Sequence, residues 1–197
     1  INLKNFDKNK INFALIGRIK PSHKGQILLI DAISKLDKSY LESAHFFMVG
    51  STVIGQEYML DDVKKLIDFH KLNDFITIVP FVENISSVYK KIDVIIVPSV
   101  FDDPFPTTVL EAMFFSIPVI GTNVGGIPEM IQNHKTGIIS KKDCPIDLSI
   151  NIKYFMDNHQ KIAEYGKNGF ERFSIYFSKK SFDIRYSKMI NEYLINE

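Results

Sequence analysis

Tryptophan is absent from these 197 residues, and cysteine occurs once, at Cys144. A lone thiol excludes an intrachain disulfide and a cysteine metal cluster, which fits a reducing compartment. The histidines at 23, 45, 70, 134 and 159 lack metal-ligand spacing, so no metal is expected. No apolar run approaches the roughly 20 residues that a bilayer-crossing helix needs. Neither sign of charge dominates: 24 Lys and Arg stand against 23 Asp and Glu, for a formal charge of +1. That balance argues against a general nucleic-acid or acidic-membrane surface, while leaving room for a local basic site. The Gly-x-Gly-x-x-Gly and Gly-x-x-x-x-Gly-Lys-Ser/Thr fingerprints are both missing, which disfavours ordinary dinucleotide and P-loop sites. The chain also opens on Ile1, with neither an initiator Met nor a secretory signal, and so reads as a fragment with residues missing before it.

What is present suits one well-cored domain. Hydrophobic residues make up 45% of the chain and 16 of them are Phe. Short runs rich in Ile and Val at residues 11–17, 45–49, 76–79, 94–97, 119–121 and 137–139 read as six strands. Between them, helical spacing recurs at 25–37, 57–71, 86–91, 107–115 and 127–132. In the first of these helices Ile27, Leu28, Ile30, Ile33 and Leu36 carry the apolar face. Strands that are apolar on both faces require a parallel sheet covered by crossover helices. The expected fold class is therefore α/β, an open six-stranded Rossmann-like sheet in the order 3-2-1-4-5-6 with helices on both faces. From residue 146 onward only helices are expected, at 146–158, 159–173 and 179–194, so 146–197 forms a helical tail within a single domain of 1–197.

Ligands of such sheets settle at the carboxyl ends of the strands. Two loops there carry chemistry. The first, after strand one, reads Gly17-Arg18-Ile19-Lys20-Pro21-Ser22-His23-Lys24-Gly25. Gly17 leaves room for a ligand against the backbone, and the Arg18 fork with the Lys24 ammonium suits a diphosphate. A solvated basic loop is the plain alternative. The second loop, after strand four, contains Asp103-Pro104-Phe105-Pro106 and feeds a helix beginning Thr107-Thr108-Val109-Leu110-Glu111. Free amides at Thr107 and Thr108 suit a phosphate, whereas Asp103 and Glu111 suit hydroxyls. Pro106 lacks an N–H but is well placed to open the helix. Phe81 and Val82, after strand three, stand where apolar residues would wall a nucleobase or simply pack in the core.

Gly17-Arg18…Lys24-Gly25, Pro98-Ser99…Asp103-x-Phe105-Pro106…Leu110-Glu111-Ala112-Met113, Ile117-Pro118-Val119-Ile120 and Gly125-Gly126-Ile127-Pro128-Glu129…Lys135-Thr136-Gly137, in that order, closely resemble the donor-binding half of retaining glycosyltransferases of the two-domain GT-B fold, family 4. The resemblance covers about residues 11–172. It implies transfer of a sugar from a nucleotide diphosphate sugar, a UDP- or GDP-sugar, to a glycan or lipid-linked acceptor with retention and no required metal. Family members build capsule, lipopolysaccharide and other bacterial polysaccharides. Arg18 and Lys24 match the family's diphosphate-binding pair, and Glu111 matches the second acid of its Glu-x7-Glu motif, a clamp on the ribose. Asp103 takes the place of the first acid, beside the transferred sugar, but is one methylene shorter. The implied catalytic set is thus Arg18, Lys24, Asp103 and Glu111, and the donor-binding set is Gly17, Arg18, Lys24, Phe81, Val82, Phe105, Thr107, Thr108 and Glu111.

The resemblance further implies an amino-terminal acceptor domain outside this chain, so the isolated domain is expected to be inactive in transfer. A cytoplasmic location follows, compatible with peripheral association of the full-length protein at the inner face of the cell membrane. No nucleic-acid partner is expected. Two other readings stay open: a non-catalytic nucleotide-sugar binding module, to which the Asp103 substitution lends weight, and a sugar-nucleotide epimerase-like domain, whose motifs match less of the chain.

Overall fold

The computed structural model describes residues 6–195; residues 1–5 and 196–197 of the expected domain range lie outside it. Six strands, β1 (Ile11–Ile16), β2 (Ala44–Val49), β3 (Ile76–Val79), β4 (Val94–Val97), β5 (Val119–Thr122) and β6 (Gly137–Ser140), form one sheet in the order β3-β2-β1-β4-β5-β6. Every pairing is parallel. The order reverses between β1 and β4, which opens a crevice there at the strands' carboxyl ends.

The helices are α1 (Pro21–Lys24), α2 (Gln26–Ile33), α3 (Lys38–Ser43), α4 (Tyr58–Phe69), α5 (Ser86–Tyr89), α6 (Thr107–Phe114), α7 (Ile127–Met130), α8 (Pro145–Asp157), α9 (His159–Arg172) and α10 (Lys179–Ile195). Alternation along the strands divides the core into two layers. Phe13, Phe46, Val94 and Ile96 pack with Leu28 and Ile33 of α2, Val63 and Ile67 of α4, and Leu148, Ile152 and Phe155 of α8. Ala14, Phe47, Ile95 and Val97 pack instead with Val88 of α5, Val109 and Met113 of α6, and Ile127 and Met130 of α7. Apart from Ala14, each of these side chains is worth about 1.5–3 kcal/mol when fully buried.

Local departures have local causes. The helix expected over 25–37 closes at Ile33, and α3 starts separately after Asp37, whose extended backbone interrupts the helical path. Ile27, expected on its apolar face, points to solvent and is 43% exposed. Pro21, suited to a first helical position, turns part of the basic loop into α1. After α9 the backbone widens into a π-helical turn, Phe173–Phe177, where Ser178 N–H donates to Phe173 O at 2.9 Å, five residues back.

His45 lies buried in β2, its Nε2 2.8 Å from Thr77 Oγ1. Burial, and secondarily the charge of Lys10, push its pKa down to about 4. An unfolded histidine titrates near 6.5. The unfolded chain therefore takes up this proton first, and stability that is intact above pH 6.5 falls as the pH drops from there toward 4. Between pH 7 and pH 5 the loss through His45 comes to about 2 kcal/mol. Denaturant melts at the two pH values should give that difference in the native chain and a clearly smaller one in His45→Gln; an equal difference in both would assign the acid sensitivity elsewhere.

Candidate active site

The crevice is built from the ends of β1 and β4. Gly17 leaves β1 at φ +153°, donates its N–H to Val49 O at 2.9 Å, and has open space where a Cβ would stand. The chain there presents bare backbone to the crevice. Arg18 follows with its side chain in solvent, while Gln26 Nε2 donates to its carbonyl at 2.9 Å. At Gly25 the chain turns from α1 into α2 in the left-handed region, φ +74°, so close to β4 that a Cβ would stand 1.8 Å from Pro98 O. That contact fixes where Lys24 sits.

Across the crevice, Pro106 precedes α6, and the first hydrogen bond of that helix runs from Val109 N–H to Pro106 O at 3.1 Å. The amides of Thr107 and Thr108 therefore come before the intrahelical ladder, at the positive end of the helix dipole. Thr108 Oγ1 donates to Ile16 O at 3.3 Å, tying α6 to the end of β1. One turn on, Glu111 lies on the same face of the helix as Thr107 and Thr108. It is half-buried, and its Oε2 accepts a 2.7 Å hydrogen bond from the Tyr89 hydroxyl.

Two cavities meet at Arg18, which lines both. One, of about 490 Å³, has Gly17, Ser51, Phe81, Val82 and Glu111 in its wall. The other, of about 240 Å³, is lined by Lys20, His23, Lys24, Phe101, Asp102 and Asp103. The first offers the Glu111 carboxylate and an apolar wall, the second cations set beside the carboxylates of Asp102 and Asp103. Val82 is buried, whereas Phe81 is 76% exposed and held by its N–H on Ser51 Oγ at 3.0 Å. Phe105 lines neither cavity; it is 49% exposed and its ring meets Phe177 edge-on at 5.8 Å. Among the described residues no group of three or more His, Cys, Asp or Glu is placed to hold a metal ion, and no helix is long and apolar enough to cross a membrane.

Asp103 engages Lys24: Nζ and Oδ2 are 2.6 Å apart, both side chains partly covered. Its main chain is held as well, because Gly126 N–H donates to Asp103 O at 3.0 Å. That bond takes up the Gly126 amide. Sequence reasoning also missed Ser51, beyond the Gly50 that closes β2, and Tyr89. A glycine ending a strand beside β1 was the available signal for Ser51. Tyr89 gave none, since it lies 22 residues before its partner in a different helix.

A doubly wound α/β domain with a ligand crevice at the switch point of its sheet, walled by backbone, cations and a hydroxyl-accepting carboxylate, is thereby defined. The chain belongs to the family described as glycosyl transferases group 1, which it matches over residues 2–172. An uncharacterized glycosyltransferase of Methanocaldococcus jannaschii, MJ1178, is 30% identical over 180 residues, 89% of this chain and 45% of that relative. The crystal structure of Anabaena Alr3699/HepE in complex with UDP superposes with a TM-score of 0.86 at 21% identity, covering 93% of this chain and 49% of that one. The C-terminal domain of a glycosyl transferase group 1 family protein, LpcC, from Francisella tularensis has a TM-score of 0.77 at 19% identity, covering 86% of this chain and 87% of that one. At these identities the two structures establish a common GT-B half-domain fold. The chain spans less than half the length of the curated relatives it matches.

Proposed function

We propose that this chain is the donor-binding half of a retaining glycosyltransferase, holding a UDP- or GDP-sugar whose sugar passes to a glycan or lipid-linked acceptor bound by an amino-terminal domain outside the chain. The observation that carries this reading is that Arg18 lines both cavities, with Lys24 in one and Glu111 of α6 in the other, while Thr108, which lines neither, ties the start of α6 to the end of β1. The cations and the amides of Thr107 and Thr108 hold the diphosphate and stabilise the charge that grows on it as the anomeric C–O bond breaks. Glu111 takes the ribose hydroxyls and so aims the anomeric carbon, with Phe81 and Val82 at the base. The acceptor hydroxyl forms its new bond on the face the diphosphate leaves and passes its proton to a phosphate oxygen of the leaving group. No metal enters this scheme. The UDP bound by the Anabaena relative of the same fold makes UDP the first ligand to test.

In this reading the helices from Pro145 onward complete the single domain, the isolated chain binds donor without transferring it, and the whole protein works in the cytoplasm at the inner face of the membrane. Arg18→Ala is expected to weaken UDP or GDP binding by about 1–3 kcal/mol, the scale of a charged hydrogen bond. Calorimetry on the folded variant checks this, and unchanged affinity removes Arg18 from the site. A second reading, donor binding without turnover, has the Lys24–Asp103 contact in its favour, since Asp103 is there occupied with a cation. A transfer assay on the full-length protein, with the donor fixed by the binding screen, separates the two.

A further inference from the structure

Tyr89 has a polar role that its position in the core does not advertise. It is 1% exposed, at the end of α5, and its ring stacks on Phe115 with centroids 4.9 Å apart and planes 7° from parallel. A buried phenol needs a partner for its hydroxyl. Here the partner is the carboxylate of Glu111, which reaches from the crevice wall to meet it at 2.7 Å. Burial, and then the bond to Glu111, push the phenol pKa well above its ordinary value, so the hydroxyl keeps its proton and donates. A carboxylate has acceptor sites on both oxygens and can serve a second donor while keeping the first. The stacked ring leaves Tyr89 little freedom, and the short charge-assisted bond transmits that constraint to Glu111.

We infer that Tyr89 is a positioning residue for donor recognition: its hydroxyl holds the Glu111 carboxylate in the orientation that accepts the hydroxyls of a ribose, so that ribose is distinguished from a sugar lacking them. The inference rests on the ribose role proposed for Glu111. Without Tyr89's hydroxyl, Glu111 keeps its charge and its place on α6 but loses the bond that fixes its rotamer. Discrimination for the diol then falls, although the cations and the base wall remain.

The test titrates the native chain, Tyr89→Phe and Glu111→Gln with UDP and with 2′,3′-dideoxy-UDP, after melting curves confirm folding. The native chain is expected to prefer UDP by tenfold or more. Tyr89→Phe should reduce the preference to threefold or less while its affinity for the dideoxy compound stays within twofold of native. A purely structural role for Tyr89 would weaken both ligands together, and that result overturns the inference. If Glu111→Gln abolishes the preference and Tyr89→Phe retains it, the Tyr89 role is wrong and the Glu111 role survives. If Glu111→Gln retains the preference, the ribose reading fails and this inference with it. Proton NMR of the native chain gives an answer that does not depend on the variant folding: a slowly exchanging Tyr89 hydroxyl proton should shift but persist when UDP saturates the site, and its loss on saturation overturns the inference.

Discussion

Glu111→Gln is expected to weaken binding of UDP and of the complete donor alike, by about 2–3 kcal/mol, the upper range for a hydrogen bond to a charged group. Both ligands carry the same ribose, and Gln keeps the shape of the side chain while removing its charge. The variant also leaves the Tyr89 hydroxyl an amide oxygen in place of a carboxylate, so that bond loses its charge assistance together with the ligand's. Asp103→Asn should divide the same two ligands. Removing its charge releases Lys24 from a 2.6 Å partner and takes a negative group away from the diphosphate, so UDP should bind at least as tightly as before. If Asp103 faces the sugar, the complete donor loses affinity in that variant. Paired calorimetric titrations after circular dichroism decide the matter. The reversed pattern, with Asp103→Asn weakening both ligands and Glu111→Gln neither, would exchange the roles of the two acids.

Gly25→Ala is expected to cost about 4 kcal/mol of stability, among the largest losses for a single substitution, because two penalties coincide. The left-handed φ of +74° costs an alanine about 1–2 kcal/mol, and its methyl group would stand 1.8 Å from the Pro98 carbonyl oxygen, a backbone atom that cannot swing aside. Gly55 separates the two: its φ is +82°, but a Cβ there meets nothing within 4 Å, so Gly55→Ala should cost only the dihedral part. Equilibrium denaturation of both variants measures the difference. Equal losses would mean that the approach of α2 to β4 is loose. Because Gly25 adjoins Lys24, whatever shift accommodates the new methyl group also moves a cation of the crevice, and diphosphate affinity should fall with stability.

The sheet was legible because each strand is a short Ile- and Val-rich run whose two faces are both apolar, a pattern that parallel pairing with crossover helices satisfies directly. β1, β2 and β4 came out within a residue of expectation for that reason. What failed was decided by single dihedrals and by packing at a distance. The helix read over 25–37 closes at Ile33, an unread helix starts after the extended Asp37, and five-residue hydrogen bonding after α9 has no composition cue. Within the crevice, the basic loop and the acidic helix could be assigned to the strands' carboxyl ends from strand positions alone. That Lys24 meets Asp103 could not, because the two lie 79 residues apart on separate loops whose relative height depends on Gly25. Phe105 shows the complementary case: its ring turns to Phe177 in the π-helical turn, which the strand and helix pattern did not contain.

The bond from Gly126 to the Asp103 carbonyl joins the turn after β5 to the loop after β4. A loop anchored at that atom is a poor hinge, since advancing toward a ligand would break the bond or drag the start of α7 along. A fixed post supports an arm of fixed length. Here the arm ends at Lys24; on the proposed donor-binding reading, a sugar lying beyond that pair is reached through the lysine or a bridging water, one methylene short of what a glutamate at the same post would reach.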